Sequence, residues 1–201
     1  EEIFKKDDNL RGFYNPSKKT ILIEENTFEI SLEGFHNASN FLFAYAVSKE
    51  LGIDFASFNK FDFVSFGGRN KILKSLKTTI YDESYNASPE SVKACIKNLL
   101  EKPRNKFFIF GSMQELGEES EKYHKEIFNL INNSDIEKCL FICDKNEKIY
   151  TNYLKDKKKF LVLNNIKDVP KEINKSTKKG DSILIKGSRC WQLEKIIELI
   201  N

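Results

Sequence analysis

Residues 78–92 read TTIYDESYNASPESV, and how this stretch divides decides the fold. Its first four residues are β-branched or aromatic, the composition of a strand. Ser88 followed by Pro89 is a helix start: a hydroxyl caps the open N–H groups, and the proline sits where its missing N–H costs nothing. A strand, a polar corner and a helix make half of a β-α-β unit. The corner holds more than a turn requires. Cap and proline leave Asp82, Glu83, Tyr85 and Asn86 unaccounted for, so they either bind something or decorate a helix start. A helix N-terminus favours anions, while the carboxylates offer acceptors to a hydroxyl or a cation.

The same pattern recurs downstream. KFFIFG (106–111), KCLFICD (138–144), KFLVLN (159–164) and DSILIKG (181–187) read as strands. Helices are predicted near 89–101, 119–133, 146–155, 168–176 and 190–200. Near-continuous apolar runs suit parallel strands buried on both faces. Five β-α repeats in this order predict an α/β fold: a Rossmann-like, mainly parallel sheet with helices on both faces. Right-handed crossovers gather the strand C-terminal ends on one edge, where open α/β sheets bind ligands. The corner lies on that edge, with the loops GSMQELGEES, DKN, NNIKD and KGSRC.

Upstream, KTILIEENTFEISLEG predicts a β-hairpin with strands 20–24 and 27–32 and a turn at Glu25–Asn26. HNASNFLFAYAVSKELG predicts a helix that Asn37 or Ser39 can cap and Gly52 stops. The phenylalanine-rich stretch after it, ending in a glycine pair, suits a linker into a new domain.

Hydrophobic residues make up 40% of the 201 and phenylalanine alone 17, enough for a packed core. The 33 basic and 30 acidic residues are interspersed, whereas a nucleic-acid binder segregates its charge. No apolar run reaches the roughly 20 residues that span a membrane. Cys139 and Cys143 lack the spacing of a zinc or redox pair and read as buried thiols of a cytoplasmic protein. The single methionine is Met113, so the chain is expected to be a piece of a longer protein.

Further candidates are modest one by one. Asn37 and Asn40 lie on neighbouring faces of a first helical turn, where amides can read an adenine edge. With His36 they are equally a cap and a surface histidine. Arg69 can clamp a phosphate or simply be solvated. His124 reads as structural or exposed rather than as a ligand.

Their order is more telling. GFHNASNFLFAYAVSKELGI, GGRNK, YDESYNASP, FIFGSMQELGEESEKYHKEI and GDSILIKGSR together resemble the Mur ligase family, over about residues 20–200. YNASP and GSMQELGEES look like the YNANP and GDMLELGEES of its branch that adds D-alanyl-D-alanine to UDP-N-acetylmuramoyl-tripeptide. The DNPR motif of the diaminopimelate-adding branch has no counterpart here.

The resemblance implies an ATP-dependent amide ligase of peptidoglycan precursor synthesis, working through an acyl phosphate. Residues 1–54 would be the C-terminal tail of the central ATP-binding domain, and 55–201 the C-terminal domain. No G-x-x-x-x-G-K-[ST] phosphate loop occurs, so the chain alone is expected to be inactive, with the magnesium ligands mostly elsewhere. By resemblance His36, Asn37 and Asn40 line the nucleotide, and Arg69 reaches its phosphates or ribose. The nucleotide contact shared across the family falls to Glu83 or Asp82, with Arg69 and Glu83 nearest the chemistry. Tyr85, Asn86 and Ser88 lie near the dipeptide. A cytoplasmic monomer is expected. The alternatives are a non-catalytic nucleotide- or partner-binding module and a folylpolyglutamate synthase-like ligase, against which YDESYNASP argues.

Overall fold

The computed structural model describes residues 10–31, 34–54, 60–61, 67–69, 71–75 and 77–200. The chain divides into two compact units, Glu1–Val64 and Ser65–Asn201. The boundary expected at residues 54 and 55 abuts residues 55–59, which lie outside the described ones.

In the first unit β1 (Gly12–Asn15), β2 (Thr20–Ile23) and β3 (Asn26–Ile30) form an antiparallel meander, and β4 (Lys60–Phe61) adds in parallel to β3. Strand alternation turns Tyr14, Ile21, Ile23, Phe28 and Ile30 to one face. There they pack on Ala38, Phe41, Leu42 and Tyr45 of α1 (Phe35–Glu50). The hairpin turn falls one residue earlier than expected. Glu24 adopts a left-handed φ of 53°, and its carboxylate accepts from the Tyr45 hydroxyl at 2.8 Å and pairs with Lys49. Those partners hold its pKa below the usual carboxylate range, Lys49 foremost. Helix α1 also starts earlier than either expected cap. Gly34 occupies the cap position at φ 100°, with no side-chain cap, so His36 and Asn37 stand inside the first turn.

The second unit is a six-stranded sheet in the order β5-β6-β10-β7-β8-β9. These strands are β5 (Lys71–Lys74), β6 (Thr78–Glu83), β7 (Lys106–Gly111), β8 (Ile136–Ile142), β9 (Phe160–Leu163) and β10 (Asp181–Lys186). Only β5, an unforeseen edge strand, runs antiparallel to its neighbour. Every residue of β7 and β10 is buried, as strands covered on both faces require.

Two cores follow from the pleat. Phe108, Phe110 and Phe141 face α2 (Pro89–Leu100), α3 (Ser120–Asn132) and the 3-10 segment Asn146–Tyr153. Phe107, Ile109, Leu140 and Ile185 face α4 (Val169–Ser176) and α5 (Glu194–Ile200). Asp144 Oδ1 accepts from the amides of Asn146 and Glu147, winding a tight turn where a longer helix was predicted. The last helix is likewise shortened, because Gln192 is left-handed at φ 49° and splits it from a 3-10 turn at Arg189–Trp191. Among the described residues no helix is long and apolar enough to cross a membrane.

Candidate functional site

The sheet order contains a topological switch. Chain leaving β6 and β7 enters α2 and α3 on one face, whereas chain leaving β10, which lies between them, enters α5 on the other. Loops that part in opposite directions open a crevice at the strand C-terminal ends, where doubly wound sheets take ligands. The corner after β6, the loop after β7 and the glycine turn after β10 meet there.

The corner is built from within. Alternation along β6 buries Asp82, and its Oδ1 accepts from the Ser84 amide at 3.1 Å and the Ser84 hydroxyl at 2.6 Å. Glu83 points the other way, half-buried, beside its register partner Lys186. Lys186 is buried, and its ammonium donates to the Asn86 carbonyl at 2.9 Å, tying β10 to the corner. Ser88 is the α2 cap in a full capping box: its hydroxyl accepts from Ser91 N, and Ser91 Oγ accepts from Ser88 N. Its hydroxyl is thus engaged in holding the helix. Tyr85 and Asn86 are exposed.

Arg69 joins the same site. The Tyr85 amide donates to the Gly68 carbonyl at 2.9 Å, and the Arg69 guanidinium lies 4.1 Å from the Tyr85 ring centroid. Gly68 has φ +77°, and a Cβ there would lie 2.7 Å from Tyr85 N, so only glycine brings the turn this close. The described residues therefore group Arg69, Asp82, Glu83, Tyr85, Asn86 and Ser88 on one unit. His36, Asn37 and Asn40 belong to the other, with His36 and Asn37 half-buried and Asn40 exposed at the start of α1.

The neighbouring loops are braced by buried polar groups that sequence reading passed over. Glu147 Oε2 accepts from Ser112 Oγ at 2.7 Å and Asp144 N at 3.0 Å, while Gln114 Nε2 donates to Oε1. Trp191 Nε1 donates to Ser112 Oγ at 3.1 Å, and Gln114 N donates to Ser188 Oγ at 2.8 Å. Gly187 permits this closeness, since a Cβ would lie 2.7 Å from Gly111 Cα. Arg189, third after β10, pairs with Glu194 at 2.8 Å and lies 5.8 Å from the Tyr85 centroid. The sequence signal for them was their loops, GSMQELGEES, DKN and KGSRC, at the strand C-terminal ends, with no residue of these singled out.

His124 is structural. Its Nδ1 lies 2.7 Å from the Ser120 carbonyl, which can only accept, so Nδ1 carries the proton and Nε2 accepts from Met113 N at 3.0 Å. The neutral ring stacks on Tyr150 at 4.3 Å, and burial lowers its pKa. It thereby pins the loop after β7. Among the described residues no three His, Cys, Asp or Glu side chains gather as a cation requires.

Known proteins agree with this architecture. A family model described as "Mur ligase, glutamate ligase domain" matches residues 68–189. The UDP-N-acetylmuramoyl-tripeptide--D-alanyl-D-alanine ligase of Buchnera aphidicola subsp. Acyrthosiphon pisum (strain APS) is 34% identical, covering 82% of this chain and 36% of its own. The same-named protein of Bacillus subtilis (strain 168) is 32% identical, covering 87% and 40%. The chain thus spans about two fifths of the length of these relatives. In fold it resembles the MurF ligase of Thermotoga maritima crystallised with ADP, with a TM-score of 0.73, 23% identity and coverage of 100% of this chain and 44% of that one. With the family model matching well over half its length, and with this sheet and corner, the chain belongs to the Mur ligase family.

Proposed function

We propose that this chain is part of an ATP-dependent ligase that joins D-alanyl-D-alanine to UDP-N-acetylmuramoyl-tripeptide, a step of peptidoglycan precursor synthesis. The observation carrying the reading is the match, along more than four fifths of the chain, to relatives bearing that name. The corner at the sheet's switch point supports it with the polar groups such chemistry needs.

In this reading the tripeptide carboxylate attacks the terminal phosphorus of ATP, and ADP leaves. The dipeptide amine then attacks the acyl carbon; phosphate departs and the nitrogen loses a proton. Both steps depend on orientation and on charge stabilisation away from water. ATP supplies the activation. The described residues gather no cation site, so none of them is assigned to magnesium.

Of the two corner acids, Glu83 takes the nucleotide contact; the burial of Asp82 and its bonds to Ser84 support that choice. Arg69, held over Tyr85, serves the phosphates. Tyr85 and Asn86, both exposed, serve the dipeptide, and the Ser88 hydroxyl works mainly as the cap. His36, Asn37 and Asn40 line the nucleotide, with Asn40 at the adenine.

The test is phosphate release by the full-length protein with ATP, UDP-N-acetylmuramoyl-tripeptide and D-alanyl-D-alanine. Release should require all three and match the amount of pentapeptide formed. Release indifferent to the dipeptide would overturn the reading.

A further inference from the structure

We propose that Arg189 receives the terminal carboxylate of the incoming dipeptide and so selects acceptors that end in a free acid. The assignment rests on the ligase reading above and names a contact within that site. Arg189 follows the strand at the topological switch, so it stands at the mouth of the crevice between the loops after β6 and β7. Its side chain is 59% exposed, yet it is not loose. Glu194 Oε1 holds one Nη at 2.8 Å, and the exposed ring of Tyr85 lies 5.8 Å from its central carbon.

The pair with Glu194 is one-armed. Glu194 Oε2 is buried and, among the described residues, has no hydrogen-bond partner. A guanidinium offers five N–H groups in a planar fork. Glu194 sits against one Nη here, which leaves another edge for a second, bidentate acceptor, the geometry of a carboxylate.

The surroundings favour an anion. Arg69 lies over the same Tyr85 ring, within about 10 Å of Arg189 as the two ring distances bound it. An anion between them relieves their mutual repulsion. Phosphate is the competing anion. In the reading above it goes to Arg69, whereas Arg189 follows Ser188 after β10 and lies 5.8 Å from the ring centroid of Tyr85, a residue given to the dipeptide.

The experiment uses the full-length protein with ATP and the UDP-sugar peptide saturating. D-alanyl-D-alanine and its C-terminal carboxamide are each varied. Wild type should prefer the acid. Arg189→Ala should raise KM for the acid about tenfold to a hundredfold. KM for ATP and for the carboxamide should stay within about twofold, so the preference disappears. Arg189→Lys keeps the charge without the fork and should recover part of it. If Arg189→Ala melts well below wild type, Arg189→Lys decides: its KM for the acid should rise several-fold with that of the carboxamide unmoved. A preference that survives substitution overturns the assignment, and so does a rise confined to KM for ATP, which would make the anion a phosphate. A wild type that uses neither dipeptide instead sinks the ligase reading itself.

Discussion

Asp82 and Glu83 are adjacent acids with opposite tasks, because a strand turns successive side chains to opposite faces. Asp82 faces inward and satisfies the fully buried Ser84, so Asp82→Ala should cost about 1–3 kcal/mol in urea unfolding. Glu83→Ala should leave that transition in place and, in the full-length enzyme, raise KM for ATP about tenfold or more. The reverse pattern would exchange their roles. His124 makes a separate prediction about acid. Burial lowers its folded pKa below the 6.5 of a free histidine, so the unfolded chain binds the proton more readily. The stability it lends is complete above that value and drains away as pH falls through the folded pKa. Carboxylates such as Asp135 and Glu126, held low by Lys106 and Lys93, enter only at more acid pH. Melting temperature should therefore fall as pH drops below about 6.5 in the native chain, and much less so in His124→Gln. Equal slopes would remove His124 from the account.

At the scale of elements, α2 was legible almost to the residue, because Ser88 and Pro89 state its start in local chemistry. Ser88→Ala should lower stability by about 0.5–2 kcal/mol, with Ser88→Asp retaining most of it. A variant equally stable but poor in dipeptide KM would return the hydroxyl to the substrate. The parallel strands were equally legible, since burial on both faces writes an unbroken apolar run. Edge strand β5 was not: its residues are mostly exposed and its pattern KILK looks like loop. Segment Asn146–Tyr153 read as a helix because its apolar spacing fits one, yet Asp144 ties its first amides into a 3-10 turn. The site divided along the same line. Corner residues contiguous in sequence, 82–88, could be named in advance. Lys186, Arg189, Ser112 and Glu147 could not, since β10 comes beside β6 and β7 only through the order of strands in the sheet. The start of α1 was misplaced because Gly34 needs no side chain to begin a helix.

The whole chain carries two hydrophobic systems of unequal depth. Residues 65–201 enclose a sheet between two cores, with β7 and β10 wholly buried. Among the described residues the first unit has one core on one side of its sheet, and Phe13 and Leu22, register partners on the outer face, are exposed. Along α1 and its C-terminal cap, Phe43, Val47 and Leu51 follow one another at four-residue spacing and are exposed as well. Stabilisation scales with apolar area removed from water, roughly 25 cal/mol per Å², so the one-sided unit has less to set against its chain entropy. Local opening should reflect that difference. In hydrogen exchange on the 201-residue chain, the amides of β7, β8 and β10 should be the last to exchange. Those of β2, β3 and α1 should go earlier by at least a factor of ten. Chain 65–201 expressed alone should keep the slow set, because both of its cores lie within that unit. Slow exchange concentrated in residues 20–50, or loss of protection in β10 once residues 1–64 are removed, would mean that the first unit stabilises the second.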